Sequence, residues 1–252
     1  MVTKRRLVAA TLSIFVTATS AAHAAPCALA TQDEGHVAQV IDARSFRLSD
    51  GREIRLAGIE LIARDASALA ALVKDKDVSL RGPDDTPDRY GRQTAFVFLA
   101  GSDISVQARL LANGAALASP DVTDKDCAAA LLAAEAEARA GKKGTWADPN
   151  VIKNAESADD ILAGIGRFML VEGRVLSVRQ AGTMTYLNFG RSWTRDFAAT
   201  ISRRMMPSVE SNGLTLKSLE NRRIRVRGWV EAHPGPRIEV VRAGQIEVLS
   251  GK

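Results

Sequence analysis

Between Gly35 and Ile59 the chain alternates apolar and polar residues through three short runs, residues 37–41, 45–48 and 53–57, joined by turns at Asp42-Ala43-Arg44 and Ser49-Asp50-Gly51. A period of two sends successive side chains to opposite faces of a strand, so this pattern predicts a β-meander with Phe46, Leu48, Ile54 and Leu56 on its inner face. Arg55 then lies on the opposite face from Ile54 and Leu56. A three-stranded meander with one apolar face must be covered to be stable, and the covering elements follow in order. Residues 66–74 read as a helix and Asp77–Arg81 as a strand. Residues 94–99 form a β-branched and aromatic strand, and residues 105–113 a helix with Ser105 as N-cap and Gly114 just past its end. Lys125–Ala140 is a longer helix with Leu131, Leu132 and Ala136 on one stripe, stopped by Gly141. Meander, helix, two-strand hairpin, helix and helix predict a small closed barrel with helical packing, an OB-type architecture in a protein that is mainly β with α.

The hairpin between the fourth and fifth strands holds the first candidate for function. A loop dense in turn formers, Gly82-Pro83-Asp84-Asp85-Thr86-Pro87, leads into Asp88-Arg89-Tyr90-Gly91-Arg92. This turn gathers guanidinium groups and a carboxylate, and it leaves Arg92 at a strand entrance where a backbone-fixed side chain faces a ligand. A solvated turn arginine has the same sequence; the rest of the domain decides between the two.

Five segments carry a resemblance. Gly35-x-Val37-x-x-Val40-Ile41-Asp42, Ile54-Arg55-Leu56-x-Gly58-Ile59, Asp88-Arg89-Tyr90-Gly91-Arg92, Leu110-x-x-x-Gly114-x-Ala116 and Glu135-x-x-x-Arg139-x-x-x-x-Gly144-x-Trp146 stand in the order and rough spacing of the staphylococcal nuclease (thermonuclease-like) family. The chain resembles that family over about half its length. The resemblance implies phosphodiester cleavage with a calcium ion held by carboxylates, a glutamate as general base and two arginines that stabilise charge at phosphorus. Carried over position by position, the arginines match Arg55 and Arg92, and the aspartate just before the metal-binding loop matches Asp42. The remaining acidic positions depart from the pattern. The first calcium-binding aspartate falls on Arg44, the second on Glu60, the threonine after it on Leu61 and the catalytic glutamate on Ala63.

Those departures have a size. A guanidinium roughly 5 Å from a divalent ion costs on the order of 6 kcal/mol at an effective dielectric near 20, so Arg44 must point away or the site stays metal-free. Loss of a positioned general base costs about 10²- to 10⁴-fold in rate. The expectation is therefore weak or lost hydrolysis unless Glu60 or Asp65 is recruited. No cofactor is required by this reading; calcium is a candidate, with Asp42 and Glu60 as the carboxylates left to hold it. What survives is an arginine pair suited to bidentate phosphate binding, with Arg44 and Tyr90 beside it as ligand-binding candidates. The alternative is that Arg55 and Arg92 only pair with Glu60 and Asp88.

Residues 1–24 have the layout of an export signal: Lys4, Arg5 and Arg6, an apolar run over residues 7–16, and Ala22-His23-Ala24 as a small-residue cleavage site. The run is shorter than the ~20 residues that span a bilayer, so no stable membrane insertion is expected once it is removed, and the protein is expected to be secreted, or periplasmic in a Gram-negative source. Cys27 follows Pro26 and lacks the small residue of a lipid-attachment site. The chain holds two cysteines, Cys27 and Cys127. Export places both in an oxidising compartment, where a disulfide between them is expected; His36 and His233 have no zinc-site spacing.

Of the formal charge of +5, the signal accounts for three. The remainder is uneven: residues 25–160 hold 16 basic and 22 acidic residues, and residues 161–252 hold 15 and 7. This asymmetry predicts two domains with different partners or complementary faces, and charge pairing between them. The domain reading is a signal at 1–24, a thermonuclease-like domain at 28–148, a linker at 149–164 with a polar, acidic stretch at 154–160, and a second, smaller, purely β OB-like barrel at 165–250. In the latter, one strand is expected at 170–178, others at 185–190, 197–201, 223–230 and 238–241. Tyr186, Phe189, Arg191, Trp193, Arg195, Phe197, Arg203 and Arg204 interleave aromatics with cations as a single-strand binding face requires, with Trp193 the foremost candidate. Small barrels also bury aromatics for packing. Arg223, Arg225 and Arg227 alternate with Ile224 and Val226, so they are expected on one exposed face, toward phosphates or the acidic first domain.

Three functions fit this reading: an exported nuclease-like protein that binds nucleic acid or another anionic polymer and hydrolyses it poorly, an active calcium-dependent phosphodiesterase using Glu60, and a non-catalytic structural protein of the envelope.

Overall fold

The alternation from Gly35 onward folds as expected. In a computed structural model that describes Cys27, residues 29–210, Gly213 and residues 215–249, the chain opens with β1 (Thr31–Val40), β2 (Ser45–Leu48), β3 (Glu53–Leu56) and β4 (Ile59–Glu60). The expected export signal lies outside the described residues. There follow α1 (Ser67–Val73), β5 (Asp77–Arg81), β6 (Arg92–Leu99), α2 (Val106–Ala112), β7 (Leu117–Ala118) and α3 (Lys125–Ala140). The strands close into a five-stranded barrel in the order β1-β2-β3-β6-β5, with β3 and β6 parallel and the other pairs antiparallel. Phe46, Leu48, Ile54 and Leu56 point inward and are fully buried.

Side-chain caps start the helices that cover the barrel. Ser105 accepts from the Ala108 amide and Asp124 from the Cys127 amide, each satisfying an orphan donor of the first turn. The stripe that α3 buries is Cys127, Leu131, Glu135 and Ala138, not Leu131, Leu132 and Ala136. The correction has an electrostatic cause: Glu135 is buried because its carboxylate meets a guanidinium from the second sheet, and no hydrophobic pattern registers that. Cys127 on the same stripe is disulfide-bonded to Cys27 across 100 residues. For a loop of that size the chain-entropy model allows about 4–5 kcal/mol, an upper figure.

The second region contains β8 (Ile152–Asn154), α4 (Ala158–Leu162), β9 (Phe168–Arg174), β10 (Ser177–Ala181), β11 (Met184–Asn188), β12 (Ala198–Ser202), α5 (Met206–Glu210), β13 (Arg223–Ala232), β14 (Pro236–Val240) and β15 (Ile246–Val248). They form one sheet, ordered β10-β11-β12-β14-β13-β9-β8 with β15 also on β13. Among the described residues its path does not close, so it is a second sheet beside the barrel, and α4 and α5 make it other than purely β. The strand expected over 170–178 divides where the chain changes partner: the Val175 amide donates to Arg222 and the Leu176 amide to Asn188. Residues 149–164 are ordered secondary structure, since β8 pairs with β9 and Ile161 of α4 is buried.

The two sheets meet through Leu117, Ala138, Trp146 and Leu170. Beside this apolar seam Arg227 donates through Nη2 to Glu135 Oε1 (2.9 Å) and through Nη1 to Glu135 Oε2 (3.0 Å) and the Ala118 carbonyl (2.9 Å). Among the described residues no helix is long and apolar enough to cross a membrane.

Candidate functional site

Strand register sets the order of charge on the outer face of the barrel. Ser45 faces Arg55 and Arg55 faces Thr94; in the next row Arg47 faces Glu53 and Glu53 faces Arg92. Arg55 and Arg92 therefore stand on neighbouring strands of one face, one diagonal step apart.

Arg92 is fixed by the turn before it. Gly91 takes φ +77°, a conformation that L side chains rarely adopt, which brings the chain back so that the Gly91 amide donates to the Asp88 carbonyl. Asp88 Oδ1 accepts from the amides of Tyr90 (2.8 Å) and Arg92 (3.1 Å), and Oδ2 accepts from Arg92 Nε (3.0 Å) and Nη2 (2.8 Å). The guanidinium lowers the Asp88 carboxyl to about 2, with the turn amides adding to its effect, and the carboxylate in turn raises Arg92. Tyr90 is exposed, with the guanidiniums of Arg89 and Arg92 over its ring at 4.7 and 5.0 Å.

Arg44 does not point away. Its Nη1 donates to Glu60 Oε2 at 2.8 Å and its Nε to the Leu56 carbonyl at 3.3 Å, in a pair whose side chains are 16% and 9% exposed. The other Glu60 oxygen accepts from Ser119 Oγ at 3.3 Å. Gly58, at φ +72°, turns the chain from β3 into β4, and β4 pairs with β7, which holds Glu60 beneath Arg44. Asp42 Oδ1 accepts the Arg44 amide and so serves the turn. Ala63 is exposed. Asp65 accepts from the amide and hydroxyl of Ser67, and that hydrogen bonding lowers its carboxyl, making it a weaker base.

These donors do not fit calcium, which takes about 6–8 oxygens including anionic ones. Glu60 already has both oxygens occupied and a guanidinium in front of it, and among the described residues no group of three or more His, Cys, Asp or Glu is placed to hold a metal ion.

Arg55 is different from its neighbours. It makes no hydrogen bond or ion pair among the described residues, while burial lowers its guanidinium from the ordinary value, with Arg44 and Arg92 lowering it further. Ser45, opposite it, is 1% exposed and its hydroxyl has no partner.

Residues 58–148 match the family model described as staphylococcal nuclease homologue. The chain carries a staphylococcal nuclease-like domain. No curated protein matches the chain. The nuclease-like match takes in Glu60, Ala63, Tyr90 and Arg92 and begins after Arg55, so Asp42, Arg44 and Arg55 precede it. A domain of this kind points to nucleic-acid binding or hydrolysis.

The candidates outside the nuclease-like domain divide. Arg223 is exposed as expected, but Arg225 and Arg227 are 8% and 3% exposed, so the three do not share an open face. Arg225 bridges Glu172 and Glu247 at 2.8 and 2.7 Å, and Arg223 donates to the remaining Glu172 oxygen. Alternation placed the three on one side correctly; the acidic residues of neighbouring strands and of α3 cover that side. Phe189 is buried against Phe197 at 5.1 Å and packs the core. Trp193 is 74% exposed in its loop, Tyr186 is half-buried, and Trp229, which the sequence did not single out, is 53% exposed beside Phe168. Ser45 was also missed, although meander register pairs it with Arg55. Ser119 has no sequence signal at all.

Proposed function

We propose that the nuclease-like domain binds the phosphodiester backbone of nucleic acid through Arg55 and Arg92, with hydrolysis weak or lost. The observation that carries this is Arg55, a half-buried cation with no hydrogen bond or ion pair among the described residues, on which the repulsion of Arg44 and Arg92 exceeds the attraction of Glu60 and Asp42. Leaving such a charge uncompensated is unfavourable, and a bound anion removes the deficit. Arg191, Arg195, Arg203 and Arg204, exposed in the segments that flank β12 and without an ion pair among the described residues, offer further cations to a polyanion. Weak hydrolysis follows from Glu60: a carboxylate with both oxygens engaged and a cation at 2.8 Å is a poor base and a poor metal ligand.

We further infer an exported protein, with calcium not retained. The Cys27–Cys127 disulfide and the signal-like segment both suit an oxidising compartment. Charge pairing of Arg227 with Glu135 suits two regions that act as one body.

The test is a calcium titration of single-stranded DNA cleavage. Little cleavage is expected from the natural protein. Arg44→Asp with Ala63→Glu should create calcium-dependent cleavage, the glutamate contributing about 10²- to 10⁴-fold where it reaches the attacking water. Cleavage by the natural protein that disappears in Glu60→Gln would establish the active phosphodiesterase instead.

A further inference from the structure

We propose that the Arg44–Glu60 pair takes the place of a divalent cation, so that this face binds a singly charged phosphodiester and needs no metal. The inference rests on the function proposed above and narrows it to a ligand charge and an ionic requirement.

The argument begins with how cations on this face are matched. Arg44 is held by Glu60 at 2.8 Å, Arg92 by Asp88 at 2.8 Å and Arg47 by Glu53 at 3.7 Å. Arg89 lies over the Tyr90 ring and the exposed Asp42 acts on Arg55, so the five guanidiniums of Arg44, Arg47, Arg55, Arg89 and Arg92 stand against the four carboxylates of Asp42, Glu53, Glu60 and Asp88. The face keeps one net positive charge, and Arg55, partly buried and without a hydrogen bond or ion pair among the described residues, is where it is least compensated; one positive charge corresponds to one internal phosphodiester, which carries a single negative charge, better than to a terminal phosphate with nearly two. The Ser45 hydroxyl, buried and without a partner opposite Arg55, adds a neutral donor at the same place.

Metal independence follows from what Arg44 still offers. Glu60 and the Leu56 carbonyl use its Nη1 and Nε, and no acceptor among the described residues engages Nη2. A guanidinium keeps its charge at every working pH and presents donors in a rigid fork, so Arg44 anchored by Glu60 is an immobile cation of fixed direction. For calcium to enter, Arg44 would have to leave Glu60, placing a dication and three guanidiniums on one face before any ligand arrives. Like charges at that density oppose the exchange.

The experiment uses the full chain and a fluorescein-labelled oligothymidylate, with anisotropy recorded in EDTA and again in calcium. Equal affinity in the two buffers is expected, with no gain when the oligonucleotide carries a terminal phosphate. Arg44→Met combined with Glu60→Gln removes the pair without stranding either charge, and should weaken binding about tenfold in EDTA with no recovery in calcium. Binding that appears only in calcium overturns the inference and leaves the proposed function standing. A clear preference for the terminal phosphate overturns the single-charge assignment, and a double variant that binds like the natural protein removes Arg44 from the site. No binding in either buffer overturns the proposed function itself.

Discussion

Two arginine clusters in this molecule look alike in sequence and differ in structure. At the seam between the sheets, Arg225 and Arg227 are nearly dry and every charge has an acceptor: Glu135 takes Arg227, while Glu172 and Glu247 take Arg225. On the barrel face, Arg44 and Arg92 are matched and Arg55 between them is not. In the proposed function, what separates a structural arginine from a ligand-binding one is the acceptor count. A buried pair that is complete resists removal of either partner, whereas a cation without an acceptor gains from a bound anion.

The largest expected effect breaks the seam. Arg227→Met leaves the fully buried Glu135 with the Ala118 amide and only the longer contact from Arg139 Nη1 at 3.4 Å, and should lower unfolding free energy by up to about 3–5 kcal/mol, read as a shift of the urea midpoint. Combining it with Glu135→Gln should recover much of that loss, because neither change then strands a charge. A midpoint unchanged by Arg227→Met would mean that the seam carries no more energy than an exposed pair.

The same substitution on the barrel face should behave in the opposite way. Arg55→Met removes a cation on which burial and the repulsion of Arg44 and Arg92 outweigh the attraction of Glu60 and Asp42, so stability should stay within about 0.5 kcal/mol of the natural protein or rise. Oligonucleotide affinity should fall by about 10- to 100-fold, with the salt slope smaller by about 0.7, the amount one lost phosphate contact on a single strand predicts. If Arg55→Met unfolds the protein as Arg227→Met does, the two clusters are one kind of structure and the comparison fails.

Much of this contrast was legible in advance, and the unread part has a physical reason. The period of two in residues 37–56 fixes which side chains face the barrel core and sets Arg55 on the outer face, while Arg92 is placed at a strand entrance by the turn before it. The same rule placed Arg223, Arg225 and Arg227 on one side of β13, correctly, but a strand pattern cannot say what lies over that side. The cover comes from Glu135 in α3, Glu172 in β9 and Glu247 in β15, far apart in sequence. Glu135 lies in one of the five segments that resemble the nuclease family, yet its burial could not be read, since a carboxylate counts as polar in any hydrophobic stripe. The sequence left Arg44 two outcomes, to point away or to keep the site metal-free; it turns toward Glu60, which is itself buried at the β4–β7 pairing and needs a cation.

The smallest effect sharpens the comparison by asking whether Arg92 belongs with the matched cations or with Arg55. Its partner Asp88 has a carboxyl held at about 2, below the ordinary 3.8, chiefly by the Arg92 side chain. A depressed folded-state value means that the pair's stabilisation is fully present above the ordinary carboxylate value and is lost as pH falls through about 2. Both groups lie at the surface, so the contribution is small and added salt should screen it. Carbon-13 titration of the Asp88 carboxyl should show its midpoint near 2 in the natural protein, and the midpoint should move back toward 3.8 in Arg92→Met. A midpoint already near 3.8 in the natural protein would show that Asp88 does not hold Arg92 in solution. The barrel face would then carry two unmatched guanidiniums, and the ligand it awaits would have to bring two negative charges, as adjacent phosphodiesters or one terminal phosphate do.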